Sequence, residues 1–181
     1  MSRWLLLMSV LVMPAFAAED CHTADAADGQ VTFRVLQDGA PFTGNFRRFS
    51  GKICFTQGRI TRIDASLDPA SVDTGLPELD ANLLKVDFFD IGKYQNVTFN
   101  STSVESNGED ITVHGILTIK NNKRDVTVVL HSQQASGKIS ISGSFTLDRL
   151  DYGIGMGEWT NTKWLGAEVK VDINAVLTRK K

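Results

Sequence analysis

Ile139, Ile141, Gly143, Phe145 and Leu147 alternate without a break with Ser140, Ser142, Ser144 and Thr146. A strand turns successive side chains to opposite faces, so this run is a strand with one apolar face and one wet face. The same period recurs along the chain. Val31, Phe33 and Val35 share a face, as do Phe42 and Phe46, Ile53 and Phe55, and Ile63, Ala65 and Leu67. Later runs are longer: Ile111, Val113, Gly115, Leu117 and Ile119; Val126, Val128 and Leu130; Val169, Val171, Ile173, Ala175 and Leu177. Turn signals at Asp38-Gly39, Gln57-Gly58, Asn107-Gly108, Asn121-Asn122 and Ser136-Gly137 separate them. Short connections between consecutive strands predict an all-β, antiparallel fold. So many strands must close or pair to hide their edges. An up-and-down barrel fits best, and a two-sheet sandwich is the alternative.

One segment reads as helix, Pro77 to about Lys85. Pro77 suits a first helical position, Glu78 favours the positive end of the helix, and Leu79 and Leu83 lie on one face. A lone helix in a barrel plugs an end. Phe88 and Phe89, where the helix hands over to the next strand, are expected to anchor it there.

Residues 1–17 read as a cleaved signal peptide. Arg3 gives a basic start, Trp4 to Val12 an apolar core, and Ala15-Phe16-Ala17 a small-x-small cleavage site. That run is too short to anchor in a bilayer, and no second long one follows, so stable membrane insertion is not expected. The remainder, 18–181, has the size of one domain. Cys21 and Cys54 are the two cysteines. In an exported chain their pairing is the default, and closing that loop stabilises the fold by roughly 3–4 kcal/mol.

Lys and Arg number 19 against 21 Asp and Glu, a formal charge of −2, which excludes the basic surface that nucleic acid requires. The basic cluster Arg179-Lys180-Lys181 reads as a solvated tail. His22, His114 and His131 show no metal-ligand spacing, and the strand phases of His114 and His131 point them outward. There is no G-x-S-x-G elbow. Gly153-Ile154-Gly155-Met156-Gly157 lacks the context of a phosphate loop. Asp148-Arg149-Leu150-Asp151 reads as a salt-bridged structural corner. The sequons at Asn96 and Asn100 read as chance matches. Neither catalytic nor metal-binding residues are assigned. Gly115, Gly143 and Gly44 fall on inward faces; they either leave space in the bore or permit bends and close packing, and both readings stay open.

The segment from Leu79 to Ser101 resembles the signature of the YceI-like family, through Asp80, Leu83, Asp87, Phe88, Phe89, Asp90, Tyr94, Val97, Phe99 and Ser101. Gly44-x-Phe46, Gly51-x-Ile53-x-Phe55, the run Ser71 to Gly75, the run Gly115 to Ile119 and the run Asp148 to Ile154 resemble further family motifs in order. Leu79, Asn82, Asn121-Asn122 and Asp125 depart from the pattern, at positions expected to be surface or turn. The resemblance spans the mature chain, so 18–181 is expected to be a single YceI-like domain. It implies an extended, lipocalin-like antiparallel barrel of about eight strands, closed at one end by the short helix. It also implies a periplasmic protein, secretion being the alternative, that binds a polyisoprenoid.

On that reading the bore is lined by Phe33, Phe46, Phe55, Leu67, Leu83, Phe88, Phe89, Phe99, Val113, Leu117, Val128, Phe145, Ile154, Val171 and Ile173. The expected partner is a long-chain isoprenoid, quinone-like or other amphiphilic lipid, held non-covalently, with no cofactor required. A homodimer stays open. Two rival functions are an interaction or stress-response module tied to membrane quinone and cytochrome systems, with Ile116, Val129 and Val176 as outward apolar hints, and an isoprenoid-modifying enzyme.

Overall fold

The computed structural model describes residues 19–135 and 138–177. The proposed signal peptide, the Ser136-Gly137 turn and the basic cluster 179–181 lie outside them. Among the described residues eleven strands form one sheet: β1 (Asp20–Asp25), β2 (Gly29–Gln37), β3 (Ala40–Phe46), β4 (Phe49–Thr56), β5 (Arg59–Leu67), β6 (Val72–Asp73), β7 (Val97–Asn107), β8 (Asp110–Ile119), β9 (Asn122–Ala135), β10 (Lys138–Asp148) and β11 (Leu165–Leu177). One α-helix, α1 (Pro77–Leu83), lies between β6 and β7. The sheet order is β1-β4-β5-β7-β8-β9-β10-β11-β2-β3-β6, antiparallel throughout.

This is the all-β, barrel-like class that the alternation predicts. The strand count is eleven rather than about eight. Two of the extra strands are the short edge strands β1 and β6, which carry no apolar alternation to announce them. The path is also not strictly up-and-down. β7 to β11 follow one another, but β11 then pairs with β2, and β1 crosses to β4. Cys21 sits directly opposite Cys54 in that pairing, and the two form a disulfide with Cα atoms 4.0 Å apart. Cys54 is fully buried.

β3 and β4 are consecutive yet not hydrogen-bonded to each other. The seam between them is clasped at the Arg47-Arg48 turn. Arg47 N–H donates to Ser71 O at 3.0 Å, Arg48 N–H to Ser71 Oγ at 2.9 Å, and Asp68 N–H to Arg48 O at 3.1 Å. Arg47 pairs with Asp73 at 2.6 Å and Arg48 with Asp68 at 2.7 Å. Ser71 is buried, so its two roles are shielded from water, whereas the arginines stay in solvent.

Two hairpins turn as their sequences predict. Asp38-Gly39 and Gln57-Gly58 both have positive φ at both residues, the geometry that matches strand twist. The β8–β9 turn is displaced by one residue from the expected Asn121-Asn122. Ile119 pairs with Asn122, so the turn residues are Lys120 and Asn121, with φ of 50° and 65°. Asn122 instead gives its side-chain N–H to Tyr152 O at 2.9 Å.

Candidate functional site

The inward faces of the barrel strands do not meet in a filled core. They surround a cavity of about 320 Å³. One end is packed by Ala24, Ile53, Ile60, Ile63, Val128, Leu130 and Ile141. The other is covered by α1 and the segment after it, where Leu83 and Phe88 pack with Val35, Val72 and Leu165. Between them, Leu117, Ile119 and Tyr152 form a third buried group.

The covering segment is held by backbone and side-chain hydrogen bonds together. Asp80 of α1 accepts from the Thr74 N–H at 2.9 Å and from the Thr74 hydroxyl at 2.7 Å, tying the helix to the strand before it. Phe89 N–H donates to Leu83 O at 3.0 Å. Asp90, at φ 49°, accepts from the Lys93 and Tyr94 N–H groups, each at 2.9 Å. Asp87 O accepts from Gly155 N–H at 2.7 Å and Met156 N–H at 2.9 Å, which joins the segment to the loop before β11. Lys120 reaches over from the β8–β9 turn and donates to Val86 O at 2.9 Å and Gly153 O at 2.8 Å. Burial pushes the Lys120 ammonium below its usual value, against the pull of Asp90, Tyr94 and Asp87. The aromatic pair lines the cavity: Phe88 meets Trp159 with ring centroids 5.7 Å apart, and Phe89 meets Phe46 edge-on at 5.9 Å.

Of the positions expected on the bore, Phe33, Phe46, Leu67, Leu83, Phe88, Phe89, Phe99, Val113, Leu117, Val128, Phe145, Ile154, Val171 and Ile173 all stand on the cavity wall. Phe55 does not. The β4–β5 pairing slips between Cys54 and Phe55, and the ring packs instead against the cluster that holds Ile53 and Ile60, edge-to-face with His22 at 5.2 Å. Several wall residues went unassigned from sequence. Val35, Phe42 and Val169 were findable by strand parity. Trp159 and Arg149 were not, because they lie outside alternating runs. Leu79, expected at the surface, is half-buried and lines the cavity from α1, whereas Asn82 is exposed as expected while also bordering the cavity.

Arg149 is not the salt-bridged corner that its acidic neighbours suggest. It is 2% exposed, and its guanidinium donates only to carbonyls: Gly166, Ile154 and Gly155 at 2.8 Å each, Trp159 at 2.6 Å and Leu165 at 2.7 Å. Burial lowers its pKa from the usual arginine value, with Asp148 opposing. Asp148 itself caps the turn by accepting from Leu150 N–H at 2.8 Å.

The inward glycines are occupied by neighbours. A side chain at Gly115 would meet the Phe99 ring, one at Gly143 would meet Leu130, and one at Gly44 would meet the Phe33 ring. His131 is exposed beside Asp110, and His114 is half-buried and bonds the Thr127 hydroxyl at 2.9 Å. Glu19, Cys21 and Cys54 lie close together, but the disulfide removes both thiolates that a metal would need. Among the described residues no helix is long and apolar enough to cross a membrane. Among the described residues the large apolar side chains that are exposed are Leu36, Leu76, Val86, Val129, Met156 and Trp164; of the outward hints read from sequence, Val129 alone belongs to this group.

The YceI-like domain matches residues 22–177. The chain belongs to the YceI-like family. A UPF0312 protein of Shewanella sp. is 30% identical over 163 residues, covering 84% of this chain and 85% of that protein. Burkholderia cenocepacia BcnA superposes with a TM-score of 0.80 at 26% identity, covering 86% of this chain and 99% of BcnA. A polyisoprenoid binding domain from Saccharophagus degradans, implicated in plant cell wall breakdown, shares the fold with a TM-score of 0.72 at 17% identity, covering 90% of this chain and 100% of that domain.

Proposed function

We propose that this YceI-like protein binds a polyisoprenoid or a similar long-chain amphiphile in its bore, and carries or stores it in the periplasm without making or breaking bonds. The observation that carries this reading is the apolar cavity of about 320 Å³. Protein interiors are close-packed, with few voids larger than a water molecule. This one has the size of a ligand site, whose volumes begin near ~300 Å³. A tail burying about ten methylenes gains roughly 8 kcal/mol at ~0.8 kcal/mol each, which is comparable with the cost of association. A long chain therefore needs few polar anchors. Gln37, Ser50, Ser66 and Asn82 are the polar lining besides Arg149, whose N–H groups are all engaged. The described lining is otherwise apolar, which supports holding a tail over carrying out chemistry on it. The polyisoprenoid binding described for the Saccharophagus degradans domain supports the choice of tail.

A second reading, an interaction module, is favoured by the exposure of Trp164 at 50% and Val86 at 67%. Solvent extraction of the purified protein followed by mass spectrometry separates the two. A co-purifying prenyl lipid, or uptake of an added polyprenyl quinone, is expected. A folded barrel that neither retains nor takes up any long-chain lipid overturns the lipid reading.

A further inference from the structure

Gly44 is needed for space rather than for backbone freedom. It sits in a regular β2–β3 pairing, opposite Phe33, in an extended conformation open to any residue. The missing side chain lets the Phe33 ring lie flat along the wall. A Cβ added at Gly44 would overlap the ring, standing 2.6 Å from its Cε1 and closer to Cζ, and would touch Thr74 Cγ2 at 3.1 Å. Both neighbours are side-chain atoms that can move.

The other inward glycines differ. A Cβ at Gly115 would stand 2.7 Å from Asn100 O, and one at Gly143 2.5 Å from Val129 O. Backbone oxygens in a paired sheet cannot step aside, so those positions are required by the sheet itself. At Gly44 only the ring stands in the way, and the open space for it is the bore. Phe33 already lines the cavity and packs with Phe42 and Phe46 at centroid distances of 6.2 and 5.4 Å. Phe46 in turn meets Phe89 of the covering segment. A ring driven off the wall would project into the bore beneath α1.

The geometry points to Gly44 and the Phe33 ring as the pair that sets the clear width of the bore at its helix-covered end, and so the length of hydrocarbon tail the protein accepts. This rests on the lipid reading above. The occupant at this point is an uncharged polyprenyl tail end, because the surrounding Phe42, Phe46, Leu83 and Phe88 offer it neither charge nor hydrogen bond.

The test compares a short and a long polyprenyl quinone by fluorescence quenching, in the full protein. Gly44→Ala is expected to keep the fold, to weaken the long quinone by at least about tenfold, and to leave the short one within about twofold. Adding Phe33→Ala to Gly44→Ala removes the clash and should restore the long quinone. Gly44→Ala binding both like wild type, weakening both alike, or failing to recover in the double variant would each overturn the assignment. If Gly44→Ala does not fold, Phe33→Ala alone decides: it should admit a pyrene-tipped tail that the wild type excludes, and continued exclusion overturns the proposal. Wild type taking up neither quinone sinks the lipid reading itself, an outcome distinct from a wild type that binds both with no effect at Gly44.

Discussion

The Arg149 guanidinium lies so close over Gly155 that even a methyl group on that α-carbon would collide with Nη1. Gly155 also has φ of +70°, a region that side chains disfavour. The loop before β11 is therefore wound around one buried cation, and its carbonyls do the work that acids were expected to do.

Arg149→Lys should not substitute for the native residue, because a lysine has three donors and no planar fork. Carbonyls left unpaired in a buried site cost ~1–3 kcal/mol each, so a loss of roughly 3 kcal/mol or more is expected for either Arg149→Lys or Arg149→Met. Urea unfolding measures it, and limited proteolysis should show new cleavage between residues 153 and 164. An unchanged midpoint with Arg149→Met would show that the carbonyl cage is not structural.

Phe88 is 6% exposed, whereas Phe89 is only half-buried. Phe88→Ala is expected to cost roughly 3–5 kcal/mol, and Phe89→Ala less. Equal and negligible effects on stability and ligand retention would mean that the pair does not cover the bore.

The disulfide is the covalent tie between the edge strand β1 and β4. Thiol labelling under denaturing, non-reducing conditions should find no free cysteine. Replacing Cys21 and Cys54 together by serine should lower stability by about 3–4 kcal/mol on the chain-entropy account. Hydrogen exchange should then show β1 fraying before the rest of the sheet; uniform exchange would place the effect elsewhere.

Leu117 is buried and lines the bore beside Phe99. Leu117→Lys should leave a folded barrel by circular dichroism, because the cavity has room for the new side chain, while the charge meets any lipid tail in a dry setting. Lipid extracted from the variant should fall to background. Retention equal to wild type would remove Leu117 from the binding surface.

The seam has an acid limit with a definite sign. The Arg47 hydrogen bond, helped by the Gly75 N–H, holds the Asp73 carboxyl below its ordinary value, with desolvation opposing. A carboxylate whose folded pKa is lowered adds stability above its unfolded value and loses it as pH falls through the folded one. Asp73→Asn should thus lower the melting temperature slightly at neutral pH and not at all once the pH has fallen below the lowered folded value, as differential scanning fluorimetry would show. A deficit that persists in strong acid would mean that charge is not the cause.

Much of this architecture was written in local pattern. The alternation in Ile139 to Leu147 and Val169 to Leu177 specified paired strands with an inward face, because a strand's two-residue period belongs to the backbone alone. The same parity placed Phe33, Leu117 and Phe145 on the cavity wall. It faltered where the sheet itself breaks period. In β7 the pairing slips between Ser101 and Ser103, so that Phe99 and Val104, five residues apart, both pack against the same core; a similar slip sets Phe55 off the bore. Three outcomes had no local signal at all: β1 choosing β4, the Phe33 ring lying over Gly44, and Arg149 gathering carbonyls from residues up to 17 positions away. They depend on how the sheet curls and which segments it brings together. That is decided across the whole curled sheet, a property no short stretch of residues possesses.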